Sequence, residues 1–361
     1  MFQQLEIDYV VAEHDVEFTP SSQYHVPLLR MFGVTANGNS ACAFVHGFEP
    51  YFWASVPPGL DPDDVESVKE MLNDEACRSA KGPALRVNQL VLKVEYHTDK
   101  STIWHYQSSG TQAYLRIVVA LPAVVNACKS ALERGLNIQS KGKQLSFQTY
   151  ESSVLFVLRF MIDCGIVGGN WVELPAGTYR QRSDTNQSSS GGGAHKPQST
   201  SAPQKLSRCQ YEVDIHYTQL ISHAPEGKWK MVAPLRIMSI DIECSGRKGR
   251  FPTADTDPVI QIASYITVQG QDDPIIKNIM TLNGCSPIAG VDVMSFEDER
   301  DLLLAWRDFM LETDPDVVIG ATIKSHVIRT DQFCLRFCLN LFMQRLALLQ
   351  DTITVNSTCR T

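Results

Sequence analysis

The 361-residue sequence lacks any long hydrophobic run, and Pro122 interrupts its longest apolar stretch, residues 117–125. A membrane-spanning helix needs about 20 apolar residues, so we expect no membrane partner. The amino terminus, MFQQLEIDYV, has no basic segment followed by an apolar one, which predicts that there is no secretory signal peptide. These two absences indicate a soluble intracellular protein.

The sequence also lacks an excess of positive charge, because its net charge is −8. A global basic field that would attract nucleic acid is therefore excluded, although a local basic groove would suffice for binding. Hydrophobic residues make up 43 % and charged residues 20 %, as in ordinary globular proteins. A chain of this length can form two or three domains.

Closely spaced cysteine pairs are scarce among the ten cysteines. Cys334 and Cys338 lie near each other, but no second pair completes a ligand set. We therefore predict reduced thiols and neither a zinc site nor an iron–sulfur site.

Residues 1–230 are expected to be rich in β-strands, with three helices. The predicted strands are 5–14, 27–35, 41–56, 88–97, 103–107 and 112–122, and the first two helices are 61–78 and 122–135. A third helix within 149–169 is expected to bury an apolar stripe of Leu155, Leu158, Met161 and Ile162. Residues 181–204 are rich in serine and glycine and contain no large apolar side chain, which predicts a flexible loop.

An α/β pattern begins at about residue 233. Strands are predicted over 234–246, 257–270 and 275–284, and a helix followed by a strand over 295–320. Ser295 is the expected helix N-cap, with Asp298 three residues later in the manner of a capping box. The expected buried stripe of this helix consists of Leu302, Leu303, Trp306, Phe309 and Met310.

Two acids, Asp241 and Glu243, interrupt the strand 234–246 near its end. Side chains at i and i+2 of a strand share a face, and these two lie about 6–7 Å apart along the backbone. A divalent cation would relieve their repulsion, and two-metal hydrolysis of a phosphodiester would need about four carboxylates. By itself, a pair of acids at this spacing more often marks a solvated strand edge. The basic turn that follows, Arg247, Lys248 and Arg250, fits either phosphate contacts or a solvated hairpin.

The stretch IMSIDIECSGRKGRFP, followed by DPVIQIASYITVQG, resembles the first exonuclease motif of family B DNA polymerases. The likeness extends over residues 1–320 and includes FVHGFEPYFW, LISHAPEGKW and LLLAWRDFMLETDPDVVIG. It implies an α+β / α/β fold class, with a template-binding amino-terminal domain over 1–230 and a partial ribonuclease H-like 3′→5′ exonuclease domain over 233–320. Asp241 and Glu243 would then be catalytic ligands of Mg²⁺ in proofreading, and DNA would be bound as a single-stranded template or a primer end. Further partners in the family are accessory polymerase subunits and a sliding clamp, and the expected location is the nucleus.

The sequence departs from this family after Gly320. In register, Ala321 replaces an aromatic residue, Thr322 an asparagine, His326 a phenylalanine and Val327 the aspartate that is a further metal ligand. Asp331 is out of register, and the third exonuclease motif and the polymerase motifs are absent from the sequence. Residues 321–361 are therefore predicted to be a non-family tail, either a partner-binding amphipathic helix or sequence from a retained intron or alternative exon.

These departures favour a truncated form of a replicative family B polymerase that lacks polymerase activity, without the main binding regions for accessory subunits. A non-enzymatic protein that binds single-stranded nucleic acid, and a residual metal-dependent exonuclease, are the alternatives that the sequence leaves open.

Overall fold

The computed structural model describes residues 1–19, 23–82, 84, 87, 89–98, 113–138, 142–184, 203–246, 253 and 256–320. The chain divides into two compact units, which are residues 1–35 with 39–231, and residues 36–38 with 232 onward. Within the described ranges, no helix is long and apolar enough to cross a membrane.

The first unit contains a seven-stranded sheet with the strand order β11-β12-β3-β2-β1-β10-β13. Its strands are β1 (Phe2–Glu13), β2 (His25–Val34), β3 (Ser40–His46), β10 (Trp171–Glu173), β11 (Tyr179–Gln181), β12 (Tyr211–His216) and β13 (Ile221–His223). Leu29, Met31 and Val45 of this sheet form a core with Phe156 and Phe160 of helix α3 (Phe156–Asp163). Strands β12 and β3 pair in parallel although long stretches of chain separate them.

A second, four-stranded sheet of this unit has the order β5-β6-β4-β9, with two helices packed on one face. Its elements are β4 (Tyr51–Ser55), α1 (Val65–Ser79), β5 (Val91–His97), β6 (Tyr114–Val119), α2 (Val125–Arg134) and β9 (Thr149–Tyr150). The alternate residues Phe52 and Ala54 of β4 join Leu72 of α1 and Leu132 of α2 in the core. Strands β7 (Leu136–Ile138) and β8 (Lys143–Leu145) form a small hairpin.

The first two helices confirm the predictions from sequence. Single 3₁₀ turns, Pro62–Asp64 and Pro122–Val124, precede α1 and α2, because proline suits the first positions of a helix. Gly135 ends α2 with a φ of 100°, which favours glycine at this position. The predicted strand 103–107 and residues 185–202 of the predicted flexible loop lie outside the described residues.

The predicted buried stripe of α3 is wrong. Leu155, Leu158 and Ile162 are 73 %, 47 % and 51 % exposed, and of the predicted four only Met161 packs against the core. Phe156 and Phe160 occupy the buried face instead, because two aromatic rings four residues apart remove more apolar surface from water than the aliphatic stripe would.

The buried face of α3 also carries Arg159, which a pattern of apolar residues could not reveal. Its guanidinium pairs with the buried carboxylate of Glu151, and it lies 5.0 Å from the ring centroid of Tyr51. Glu151 adopts a φ of 58°, an uncommon conformation for a residue with a side chain. The ion pair makes the burial of this charge tolerable.

The second unit is a five-stranded sheet with the order β17-β16-β15-β14-β18. Its elements are β14 (Arg236–Cys244), β15 (Val259–Val268), β16 (Ile276–Leu282), β17 (Asp292–Phe296), α4 (Glu299–Thr313) and β18 (Val317–Gly320). The α4 side chains Leu302, Leu303 and Trp306 pack on Met238 and Ile262 of the sheet. The predicted strands, helix and stripe are confirmed, as is the mixed α+β / α/β class with a β-rich amino-terminal region.

The start of α4 corrects the predicted cap. Ser295 lies in β17, a strand that the sequence did not predict, and pairs with Thr281 of β16. Asp298 is the N-cap, and its carboxylate accepts a hydrogen bond from the backbone nitrogen of Arg300 at 2.7 Å. Both residue types cap helices well, so the sheet pairing of Ser295 decides between them.

Candidate nucleic-acid and metal site

Strand β14 presents two carboxylates on one face. Met238 and Ile240 are buried beneath α4, whereas Asp241 and Glu243 are exposed. Their backbones pair with Ala263 and Gln261 of β15. The twofold alternation of a strand therefore directs both acids away from the core of the unit.

The register between β14 and β18 fixes which residues can approach Asp241. The two strands are parallel, and Ile240 aligns with Gly320. At the opposite end, the Asp316 carboxylate accepts a hydrogen bond from the backbone nitrogen of Arg236 at 2.7 Å, and burial raises the pKa of Asp316. The carboxyl end of β18 thus lies level with the residue before Asp241, at an edge where α/β sheets bind ligands.

The described residues fit a two-metal centre poorly. Carboxylate oxygens are suitable ligands for a hard divalent cation. However, the part of the chain that the structure describes contains no group of three or more His, Cys, Asp or Glu side chains placed to hold a metal ion. Asp241 and Glu243 could therefore supply ligands to one cation, but they do not form the ligand set that two-metal hydrolysis requires.

The basic turn that was predicted to contact phosphates, Arg247, Lys248 and Arg250, lies outside the described residues, and its role stays a prediction from the sequence. Val327, which replaces the family's aspartate, and the out-of-register Asp331 also lie outside them.

A second surface group was not predicted from sequence. The rings of His223 and Trp229 stack with centroids 3.8 Å apart and an interplanar angle of 11°. The Lys228 ammonium lies 4.5 Å from the Trp229 ring centroid. The signal in the sequence was Lys228-Trp229-Lys230, an aromatic residue between two cations, which is a composition used to bind single strands.

A buried ionic network ties β3, β11 and β12 together within the first unit. The Asp214 carboxylate is fully buried and accepts hydrogen bonds from Arg182 at 2.6 and 2.9 Å and from Arg180 at 3.0 Å, and its Oδ1 lies 2.8 Å from His46 Nε2. Burial alone would raise the pKa of Asp214, but the hydrogen bonds from His46 and Arg182 and the charge of Arg182 lower it to about 2. This network serves structure, since three side chains of the same unit surround the Asp214 carboxylate.

Comparison with known proteins agrees with this architecture. Residues 147–326 match the family described as DNA polymerase family B, exonuclease domain. Over 96 % of its length, the chain superposes on 32 % of a family B DNA polymerase from Pyrobaculum calidifontis with a TM-score of 0.56 and 21 % identity, which shows a shared fold. The chain belongs to the family B DNA polymerases.

Its curated relatives specify the branch of that family. The chain is 49 % identical over 323 residues to the DNA polymerase delta catalytic subunit of Arabidopsis thaliana, covering 90 % of this chain and 27 % of that protein. It is 40 % identical over 327 residues to the subunit of Bos taurus, covering 90 % of this chain and 28 % of that protein. The chain thus spans little more than a quarter of the length of these relatives.

Proposed function

We propose that this chain corresponds to the amino-terminal and partial exonuclease regions of a DNA polymerase delta catalytic subunit, and that it binds single-stranded DNA without hydrolysing it. Residues 1–230 would contact the template strand, and residues 233–320 would form the incomplete exonuclease region. The expected setting is DNA replication in the nucleus. In the family, accessory subunits and the sliding clamp bind mainly to parts that this sequence does not include.

The register at the end of β18 is the observation that carries the proposal. It aligns Gly320 with Ile240, and the sequence then continues with Ala321 and reaches Val327 where the family has a metal-binding aspartate. Asp241 and Glu243 would hold one Mg²⁺ between exposed carboxylates. When bound, such an ion would polarise a phosphodiester, but positioning both the attacking and the leaving oxygen needs a second cation and its ligands.

A nuclease assay on the purified chain tests this proposal. A primer with a mismatched 3′ end, annealed to a template, and a single-stranded oligonucleotide would be incubated with the chain and Mg²⁺. The matched control is the double variant Asp241→Asn, Glu243→Gln, which keeps side-chain size and removes the charge. We expect equal, background release of nucleotides from both proteins, together with equal binding of the single strand.

Two results would contradict the proposal in different ways. Mg²⁺-dependent shortening of the primer by the chain, lost in the double variant, would support a residual exonuclease. Failure of the chain to bind the single-stranded oligonucleotide would contradict the proposal that it binds single-stranded DNA.

A further inference from the structure

We propose that His223, Lys228, Trp229 and Lys230 form a stacking platform, on which a base of single-stranded DNA packs against Trp229 while the two lysines contact the flanking phosphates. This inference rests on the proposed function and assigns the binding of the single strand to particular residues. The platform lies in the first unit, on β13 and the 3₁₀ turn Gly227–Lys230.

The Trp229 ring is held in place before any ligand binds. Its stacking partner, His223, belongs to β13, where it pairs with Trp171 of β10. The His223 Nε2 atom lies 2.8 Å from a carboxylate oxygen of Glu173, which fixes the orientation of the imidazole. A chain of contacts from Glu173 through His223 thus positions the indole, and a preorganised ring loses little freedom on binding.

The backbone beside the platform is also fixed. The Trp229 nitrogen donates a hydrogen bond to the carbonyl of Glu226 at 3.0 Å. The Trp171 Nε1 atom donates one to the carbonyl of Met231 at 2.7 Å. The first bond closes the short turn that carries Trp229, and the second ties the residue after that turn to β10.

The contact of the Trp229 ring with Lys228 is replaceable. The ammonium of Lys228 lies over the ring, but Lys228 is exposed, and a cation–π contact of an exposed lysine is weak. A nucleobase has a flat π surface that stacks on an indole whatever its sequence. When a base displaces Lys228, the freed ammonium remains beside the phosphate of the same nucleotide.

The local charge favours an anionic strand. Lys228 and Lys230 are both exposed, and the nearby carboxylate of Glu173 is already engaged by His223, which leaves Glu226 as the acid of the turn. A membrane surface fits less well, because interfacial binding uses an amphipathic helix and this turn has four residues. The combination of a held aromatic ring and flanking cations is the one that single-strand binding uses.

Anisotropy of a fluorescein-labelled oligo-dT, titrated with the full chain at several salt concentrations, tests the platform. We expect Trp229→Leu to weaken binding about tenfold, because one base–aromatic stack is lost, and Trp229→Phe to retain most of the affinity. The double variant Lys228→Gln, Lys230→Gln should lower the slope of log affinity against log salt by about 0.7 for each phosphate contact removed. Lys81→Gln, at an exposed lysine beyond α1, is the matched control and should change neither quantity.

Tryptophan fluorescence supplies a second readout that does not depend on affinity alone. Oligo-dT should quench the tryptophan emission of the wild-type chain more than that of Trp229→Phe, because the variant lacks the indole on which the base stacks. Affinity and salt slope equal to wild type in both Trp229→Leu and the double lysine variant would overturn the platform and leave the proposed function intact. Absence of oligo-dT binding by the wild-type chain would overturn both.

Discussion

Replacement of the buried Asp214 by alanine should destabilise the first unit more than replacement of any exposed acid. The carboxylate has no solvent exposure, and the Arg182 side chain that it binds is 9 % exposed. Removal of Asp214 leaves the charge of Arg182 in a poorly solvated place without the carboxylate that it binds, whereas Arg180 keeps its ion pairs with Asp15 and Glu17. Breaking a buried ion pair in this way costs about 3–5 kcal/mol.

The pH dependence of stability gives the sign of the Asp214 contribution and a second value for its size. The pKa of Asp214 falls from 3.8 to about 2 on folding, so the ionised carboxylate favours the folded state. Its contribution, about 2 kcal/mol by linkage, is complete above the unfolded pKa and is lost as the pH falls through the folded pKa. Asp214→Ala should cost more than this because it also leaves the Arg182 charge unpaired by Asp214. The difference in unfolding free energy between wild type and variant should narrow between pH 4 and pH 2, as the wild-type carboxylate becomes protonated.

Urea unfolding of the full chain, followed by circular dichroism and tryptophan fluorescence, measures this effect. The two probes are needed because two compact units need not unfold together. Asp8→Ala is the matched control, since Asp8 also pairs with an arginine, Arg30, but is 42 % exposed, and exposed pairs contribute about 0–1 kcal/mol. The reasoning is refuted if Asp214→Ala at neutral pH costs no more than Asp8→Ala.

Five further substitutions test the packing and capping by the same urea assay. Phe160→Ala should lower the free energy of unfolding by about 3–5 kcal/mol, because Phe160 is buried. Leu158→Gln, on the exposed side of α3, should change it by about 0.5 kcal/mol or less. A larger loss for Leu158→Gln than for Phe160→Ala would show that the apolar stripe predicted from sequence is the buried face. Trp306→Ala should destabilise the second unit by about 3–5 kcal/mol, and a cost near zero would show that α4 does not depend on that contact. Asp298→Ala should cost about 1 kcal/mol through the loss of the N-cap, whereas Ser295→Ala should cost clearly less, and equal losses would contradict the cap assignment.

Features that depend on short-range periodicity could be predicted from the sequence. The spacing of Leu302, Leu303 and Trp306 gave the buried face of α4, and the twofold repeat of a strand placed Asp241 and Glu243 on one face. These patterns follow from the geometry of a single element, so they need no knowledge of its neighbours.

Features that depend on distant partners could not be predicted from the sequence. His46 and Asp214 are 168 residues apart, and no local pattern announces that parallel pairing of β3 with β12 brings them together. The local pattern favours Ser295 as the helix cap, because its pairing with Thr281 of β16 is a tertiary contact that the pattern does not show. Arg159 was missed on the buried face of α3 because its counterion, Glu151, lies outside the helix.

The position of β18 has a consequence for how such chains diverge. The packed face of the second unit, from Met238 to Trp306, is encoded before Gly320, whereas the ligands that would complete a metal centre beside Asp241 would come from the codons after it. A sequence change confined to those codons would alter the candidate metal ligands and leave in place every contact of the α4 core that the described residues make. The packed face of this unit therefore records its ancestry, whereas its catalytic competence depends on a different part of the sequence and has to be measured separately.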